Sequence, residues 1–283
     1  MFLDELIQEH THQEINTYQS IGTGLFDSYK VNLKNNSNVF IKIQNNSNND
    51  LIHEAEELKM LGEYVNTPNV IAATNKCIIL EWIEQSHNPN IQKELGTSLA
   101  KLHLKHNDFF GFIFDNKIGM TPQNNATNED ITNWAEFFWK YRIKHQTEIA
   151  KKNSLLDKSQ YQNLLNLKDS IYQKLDIKPI PSLLHGDLWS GNVLSTRKGP
   201  FLIDSASYFG DREADFSLTY IFGGFNKEFY KSYDKEMPFE ERFEERKTIY
   251  MLYHYLNHLN MFGKQYMQHV LNCIITIQKK MNC

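Results

Sequence analysis

The sequence predicts an α+β fold, a small antiparallel sheet followed by a mainly helical region. Three observations lead there. Short β-rich pieces gather in the first 84 of 283 residues, and most of the remainder repeats apolar residues at helical spacing. The order is strands first and helices afterwards, which argues for segregated layers rather than an alternating, doubly wound sheet. A polar, proline-containing link at residues 85–90 sets the boundary near Glu84, giving two lobes, 1–84 and 85–283.

Residues 15–43 hold β-rich pieces interrupted by Gly22-Thr23-Gly24 and by a polar run at 34–38, which predicts two hairpins. A second polar tract ends in Asp50, a residue suited to capping a helix. Residues 53–64 then repeat apolar positions at helical spacing, so Glu54 falls in the first turns. Pro68 and Asn69 stop that pattern, and 70–73 and 77–82 read as two further strands. Beyond the link, 91–106, 134–149 and 157–176 read as amphipathic helices, the last stopped by Pro179 and Pro181. A strand, a polar loop and another strand span 183–204, and helices over 215–222, 239–262 and 266–281 close the domain.

Charge narrows the partners. The 34 acidic and 30 basic side chains are dispersed and sum to a net charge of -4, so no basic surface for a nucleic-acid backbone is expected. Cys77, Cys273 and Cys283 are widely spaced, odd in number and without a CxxC pair, which speaks against a disulfide framework or structural zinc and fits a reducing compartment. The first ten residues carry acids where a signal peptide carries bases, and no apolar run approaches a membrane span. A cytoplasmic protein with no membrane partner is expected, and nothing in the chain specifies an oligomeric state. The Asn-x-Ser/Thr triplets at Asn35, Asn45 and Asn125 read as polar loops.

The chemistry concentrates between apolar segments at 183–204. Asp187, then Asn192 five positions on, then Asp204 at the end of the next apolar run, follow the spacing of a kinase catalytic loop and its downstream metal aspartate. Phosphoryl transfer needs a carboxylate that orients the acceptor, oxygen ligands for magnesium, and groups that hold nucleotide phosphates. Asp187 fits the first need. With an ordinary carboxylate pKa it would orient the hydroxyl and accept its proton late. Asn192 and Asp204 offer the hard oxygens that magnesium takes alongside phosphate and water. His185 reads as a brace of the loop. Asp215 is either a solvated helix start or a cap that accepts the loop's N–H groups from inside.

Lys42 lies in the apolar strand Phe40-Ile41-Lys42-Ile43, where a buried ammonium needs a partner. Glu54 is the candidate, with Glu56 and Glu57 as competitors that point elsewhere around the helix. Gly22 and Gly24 would let a hairpin tip approach phosphates, and the main chain at Glu81 and Ile83 occupies the place of an adenine-binding hinge.

With these residues in view, the sequence closely resembles the fructosamine kinase (ketosamine 3-kinase) family, of the aminoglycoside phosphotransferase and choline kinase-like, protein-kinase-like fold. The resemblance rests on HGDLWSGN at residues 185–192, GDREAD at 210–215, FGGF at 222–225 and LYHYLNHLNMFG at 252–263, with weaker matches along nearly the whole chain, among them IGMTPQN at 118–124. It implies ATP-dependent phosphorylation of the sugar 3-hydroxyl of ketosamines, hence deglycation repair. Asp187 would be the base, Asn192 and Asp204 the magnesium ligands, Lys42 with Glu54 the phosphate clamp, and Trp189 an aromatic face for the sugar or its amine. Two departures stand out. The phosphate-covering loop is bulkier, Thr23-Gly24-Leu25-Phe26-Asp27, and Ser205 follows Asp204 where the family usually has proline. Two rival readings are an aminoglycoside or amino-alcohol kinase, which would call for an acidic cleft, and a catalytically silent nucleotide-binding protein.

Overall fold

A computed structural model describes residues 2–23, 26–44 and 50–279 of the chain. Helix α1 (Phe2–Thr11) leads into strands β1 (Ile15–Gly22), β2 (Asp27–Leu33) and β3 (Asn38–Ile43), helix α2 (Asp50–Gly62), and strands β4 (Val70–Ala73) and β5 (Cys77–Glu81). The strands form one antiparallel sheet in the order β1-β2-β3-β5-β4. Period-two alternation explains its two covered faces. Val39, Ile41, Ile43, Cys77 and Ile79 pack with Ile7 of α1, whereas Ile78 and Leu80 pack with Leu51, Ala55 and Leu58 of α2. Lys42 falls between Ile41 and Ile43 and so looks toward α2. Helix α1, not expected from the sequence, supplies the second cover.

The helical side starts with α3 (Ile91–His103), a short hairpin of β6 (Asn116–Ile118) and β7 (Thr121–Gln123), and α4 (Trp134–Phe138). The helix expected over 134–149 is regular only at its ends. Trp139–Lys144 is π-helical before α5 (His145–Lys152) resumes. The helix expected over 157–176 is two, α6 (Lys158–Leu165) and α7 (Lys168–Lys174), with Leu164, Leu167 and Ile171 around the break all buried. Strands β8 (Ser182–Leu184), β9 (Val193–Thr196), β10 (Gly199–Leu202) and β11 (Tyr208–Gly210) then form two small antiparallel pairs, β8 with β11 and β9 with β10. Helices α8 (Ser217–Phe222), α9 (Lys227–Glu236), α10 (Phe243–Phe262) and α11 (Met267–Gln278) complete the chain.

A single large core joins these pieces, centred on aromatic residues such as Trp134, Phe137, Phe138, Tyr250 and Tyr253, and it seats Leu183 and Leu184 of β8 at its heart. Strand β8 is therefore fixed by burial on every side, and the loop that leaves it starts from a rigid anchor.

Three smaller expectations meet the structure here. Cys77 and Cys273 are buried free thiols, and Cys283 lies outside the described residues. Among the described residues no helix is long and apolar enough to cross a membrane. Asn35 is an exposed turn residue and Asn45 lies outside the described residues, but Asn125 is no polar loop. Its side chain is fully buried, accepting from Arg142 Nη2 at 2.7 Å and donating to Phe114 O at 3.0 Å and Asn116 Oδ1 at 2.9 Å. A sequence triplet carries no information on burial, and here the amide serves as an internal connector.

Candidate active site

The loop after β8 turns at Gly186, whose φ of 80° lies in the left-handed region and whose absent Cβ would stand 1.9 Å from Ala206 O. Only glycine fits. The backbone N–H groups of His185 and Gly186 donate to the buried carboxylate of Asp215 at 2.8 and 2.7 Å, and His103 Nε2 meets the same carboxylate at 3.1 Å. Burial works to raise the Asp215 pKa, but these partners, His103 foremost, hold it below the ordinary value. Of the two sequence readings of Asp215, the geometry is that of an internal cap. His103, which the sequence places only on a packing helix, is itself buried. Burial lowers its pKa, and its Nδ1 meets the Tyr233 hydroxyl at 2.8 Å.

His185 is buried as well. Its Nε2 meets Ile203 O at 3.1 Å and its Nδ1 accepts from Asp187 N at 3.3 Å, a pattern that needs the neutral ring protonated on Nε2. Burial lowers its pKa and so favours that form. The imidazole thus braces the two segments that carry Asp187 and Asp204.

Asn192 joins the other two residues of the catalytic-loop pattern, Asp187 and Asp204. Its Nδ2 donates to Asp187 O at 2.9 Å, to Asp187 Oδ2 at 3.1 Å and to Asp204 O at 3.2 Å. The amide nitrogen is committed to bracing, which leaves the amide oxygen as its atom for a cation. Burial pushes the Asp187 pKa up to about 7, with Asn192 opposing the shift. This corrects the expectation of an ordinary carboxylate: burial beside further acids makes Asp187 a stronger base than a solvated aspartate.

From the sheet side, Lys42 Nζ lies 2.8 and 2.9 Å from the two Glu54 oxygens and 2.7 Å from Asp204 Oδ1. Burial disfavours the ammonium, yet the charges of Glu54 and Asp204 together raise its pKa above the ordinary value. Asp204, paired with Lys42, is held below its own. Of the competing glutamates, Glu56 stays at the surface near Lys59, and Glu57 points into the protein, away from Lys42. The ring of Phe26, from the bulkier loop, sits 5.2 Å from Lys42 Nζ.

Lys42, Glu54, Asp187 and Asp204 floor a cleft of about 720 Å³. Gly22 and Thr23 border it, and Gly24 lies outside the described residues. Gly22 has ordinary φ, and an added Cβ would touch Ser28 at no less than 3.6 Å, so nothing there demands glycine. Glu81 and Ile83 do not line the cleft. The Glu81 N–H donates to Asn69 O at 2.9 Å and its carboxylate accepts from Asn69 Nδ2 at 2.6 Å. Trp189 does line it, 38 % exposed, with the 44 % exposed ring of Phe222 centred 5.9 Å away. A Cβ on Gly191 would come within 2.1 Å of the Trp189 ring, so the glycine lets the indole lie across the loop. Phe222 is followed by His258, whose ring is 5.1 Å from it, and by Phe262, 5.6 Å from His258. Sequence reasoning missed this aromatic wall, although Phe222 and His258 lie in the motifs at 222–225 and 252–263.

Among the described residues no group of three or more His, Cys, Asp or Glu side chains could hold a metal ion. A cation beside Asp204 and Asn192 would need phosphate and water oxygens as well, which is how magnesium is ordinarily held at nucleotides.

Comparison with known proteins places this geometry. The fructosamine kinase family model matches residues 2–280. An inferred ketoamine kinase of Enterococcus faecium is 34% identical over 253 residues, covering 87% of this chain and 89% of that protein. A chloroplastic protein-ribulosamine 3-kinase of Oryza sativa subsp. japonica is 34% identical over 285 residues, covering 95% of this chain and 81% of that protein. The crystal structure of a proposed fructosamine-3-kinase from Thermobifida fusca superposes with a TM-score of 0.89 at 25% identity, covering 97% of this chain and 98% of that one.

Proposed function

We propose that this chain, which belongs to the fructosamine kinase family, is a ketosamine 3-kinase that transfers the γ-phosphoryl group of ATP to the 3-hydroxyl of a sugar carried on an amine. The observation that carries the reading is the hydrogen-bonded chain Glu54, Lys42, Asp204, Asn192, Asp187, of which Glu54, Lys42, Asp204 and Asp187 line a cleft with an aromatic wall and Asn192 is buried behind it. Residues 1–84 form the nucleotide lobe and 85–283 the helical lobe.

Lys42, fixed by Glu54, holds nucleotide phosphate oxygens. Gly22, at the border of the cleft, would bring its main-chain N–H over them. The donor set fits magnesium: Asp204 keeps one carboxylate oxygen beyond the one bonded to Lys42, its side chain is about half exposed (49%) to the cleft side, and Asn192 keeps its amide oxygen. Asp204 and Asn192 would hold the ion, which would supply positive charge against the negative charge of the phosphoryl group in transfer. Asp187 orients the sugar hydroxyl and accepts its proton as the new oxygen–phosphorus bond forms and the bond to the departing ADP breaks. His185 and Asp215 keep that carboxylate in place. Trp189, with Phe222, covers the apolar face of the sugar or its amine substituent.

The test is a panel of ribulosamines, erythrulosamines and fructosamines, free and protein-bound, incubated with ATP and magnesium, with the phosphorylated position read by NMR. A 3-phosphate on a ketosamine is the expected product. ATP consumption with an aminoglycoside but with no ketosamine would overturn the assignment.

A further inference from the structure

Helix α2 reaches the segment that carries Asp204 by two routes. One runs through side chains, from Glu54 to Lys42 to Asp204 Oδ1. The other starts one turn along the helix at Glu57, whose fully buried carboxylate takes three donors: the Ser205 hydroxyl at 2.8 Å and the Ser207 N–H at 2.9 Å on Oε2, and the Asn116 amide at 2.7 Å on Oε1. A buried carboxylate is tolerated only where such donors meet it, and here each oxygen is met.

Between the two attachments sits a backbone conformation that needs support. Asp204 has a φ of 51°, the left-handed region that is uncommon for side-chain-bearing residues, though aspartate enters it more readily than most. Its supports can be named. On the loop side, Asn192 Nδ2 donates to Asp204 O and Ala206 N donates to His185 O at 2.9 Å. On the opposite side Glu57 grips Ser205 and Ser207, while Gln123 Nε2 donates to Ala206 O at 3.0 Å and Asn116 Nδ2 to Ser207 O at 3.0 Å. Ser205, the departure from the family pattern at this position, therefore has a partner in Glu57, and proline there would offer no hydroxyl to it.

We propose that Glu57, acting with Ser205, is a positioning residue for Asp204. It ties the left-handed turn to the same helix that carries Glu54, so the cation-facing oxygen of Asp204 and the ammonium of Lys42 are set by one rigid element. Glu57 touches neither nucleotide nor sugar in this scheme. The inference rests on Asp204 being the magnesium ligand, as in the proposed function, and it is independent of which acceptor is phosphorylated. Supporting groups of this kind orient a metal-binding side chain, and their loss weakens metal affinity by about 10- to 100-fold.

The experiment is calorimetric binding of ADP to the full chain, once with magnesium and once in EDTA, for wild type, Glu57→Gln and Ser205→Ala. Glu57→Gln should weaken ADP binding in magnesium by about tenfold or more and leave binding in EDTA within about twofold of wild type. Ser205→Ala should show a smaller loss of the same kind. Equal losses with and without magnesium would mean that Glu57 only holds the fold together, and unchanged affinity in magnesium would mean that the turn holds itself; either result overturns the proposal. Should Glu57→Gln fail to fold, Ser205→Ala, which deletes one hydroxyl, decides alone, and its magnesium-dependent loss must exceed its loss in EDTA. A magnesium-dependent effect in a protein that phosphorylates no ketosamine would sink the substrate assignment and leave this inference standing.

Discussion

The floor of the cleft, residues 185–192 with Asp204, and its border at Gly22 and Thr23 are held in different ways. The floor hangs from the buried strand β8, and its backbone is gripped by Asp215, His185 and Asn192, while Gly186 has no room for a methyl group. The border belongs to β1, whose residues after Ile15 are all exposed, and Gly22 has room to spare. Under the proposed function, atomic precision is concentrated where a proton and a phosphoryl group would change partners. Under the same proposal the border would have only to follow the nucleotide, so its composition could drift toward a bulkier Thr23 to Asp27 segment without disturbing the floor.

Three substitutions would break or sharpen this contrast. The largest effect belongs to Asp187→Asn, which should lower kcat by about 10²- to 10⁴-fold. Wild-type kcat/KM should also fall by about fivefold between pH 7 and pH 6, as the Asp187 carboxyl, held up to about 7 by burial, takes its proton, and the variant should lose that limb. The sign for stability is opposite. A carboxyl whose folded pKa lies above its unfolded 3.8 binds its proton more tightly in the native state, so its ionisation subtracts stability as the pH rises toward 7. Asp187→Asn should therefore melt no lower than wild type at pH 8, a comparison that differential scanning calorimetry makes directly.

The next effect is that of Gly186→Ala. A Cβ 1.9 Å from Ala206 O at a φ of 80° must displace the backbone, with an expected loss of about 3 kcal/mol or more in chemical denaturation and a matching collapse of turnover. The same change at Gly22 should be the smallest. Gly22→Ala meets only Ser28 at ordinary contact distance and should leave kcat/KM for ATP within about threefold and stability within about 0.5 kcal/mol in the same assays. If Gly22→Ala proved as damaging as Gly186→Ala, the contrast drawn between floor and border would be wrong.

The sequence was most legible where function is local. Asp187, Asn192 and Asp204 lie within eighteen consecutive positions, framed by apolar strand residues, and their spacing alone places them together. Lys42 and Glu54 were legible because a lysine in an apolar strand requires a partner on the next element. Glu57 was not, because its partners Ser205 and Ser207 lie 148 and 150 positions away and no periodicity links a helix glutamate to two loop serines. His103 was hidden for the same reason, 112 positions from Asp215. The β6–β7 hairpin and β11 are each too short to show an alternating pattern, and Asn125 looked solvent-directed because a polar triplet carries no sign of burial, although its partners Asn116, Phe114 and Arg142 stand only 9, 11 and 17 positions away. Helix α9, rich in charge, buries only Phe229 and Tyr233, too few apolar positions to display a period.

The π-helical stretch Trp139–Lys144 carries a consequence for how this chain tolerates length changes. A π turn holds one residue more than the helix around it needs, so deleting a single residue there would let α4 and α5 fuse into one regular helix with their faces kept nearly in phase, and the residues displaced would be those of the stretch itself. Arg142, inside the stretch, donates to Asn124 O at 2.6 Å and to Asn125 Oδ1, and its guanidinium lies 4.0 Å from the centre of the Tyr208 ring. A shortened chain would gain a better helix and lose the reach of that guanidinium to the hairpin beside the cleft, so the frame of residues 139–144 is one in which an apparently harmless one-codon deletion would be felt at the active site.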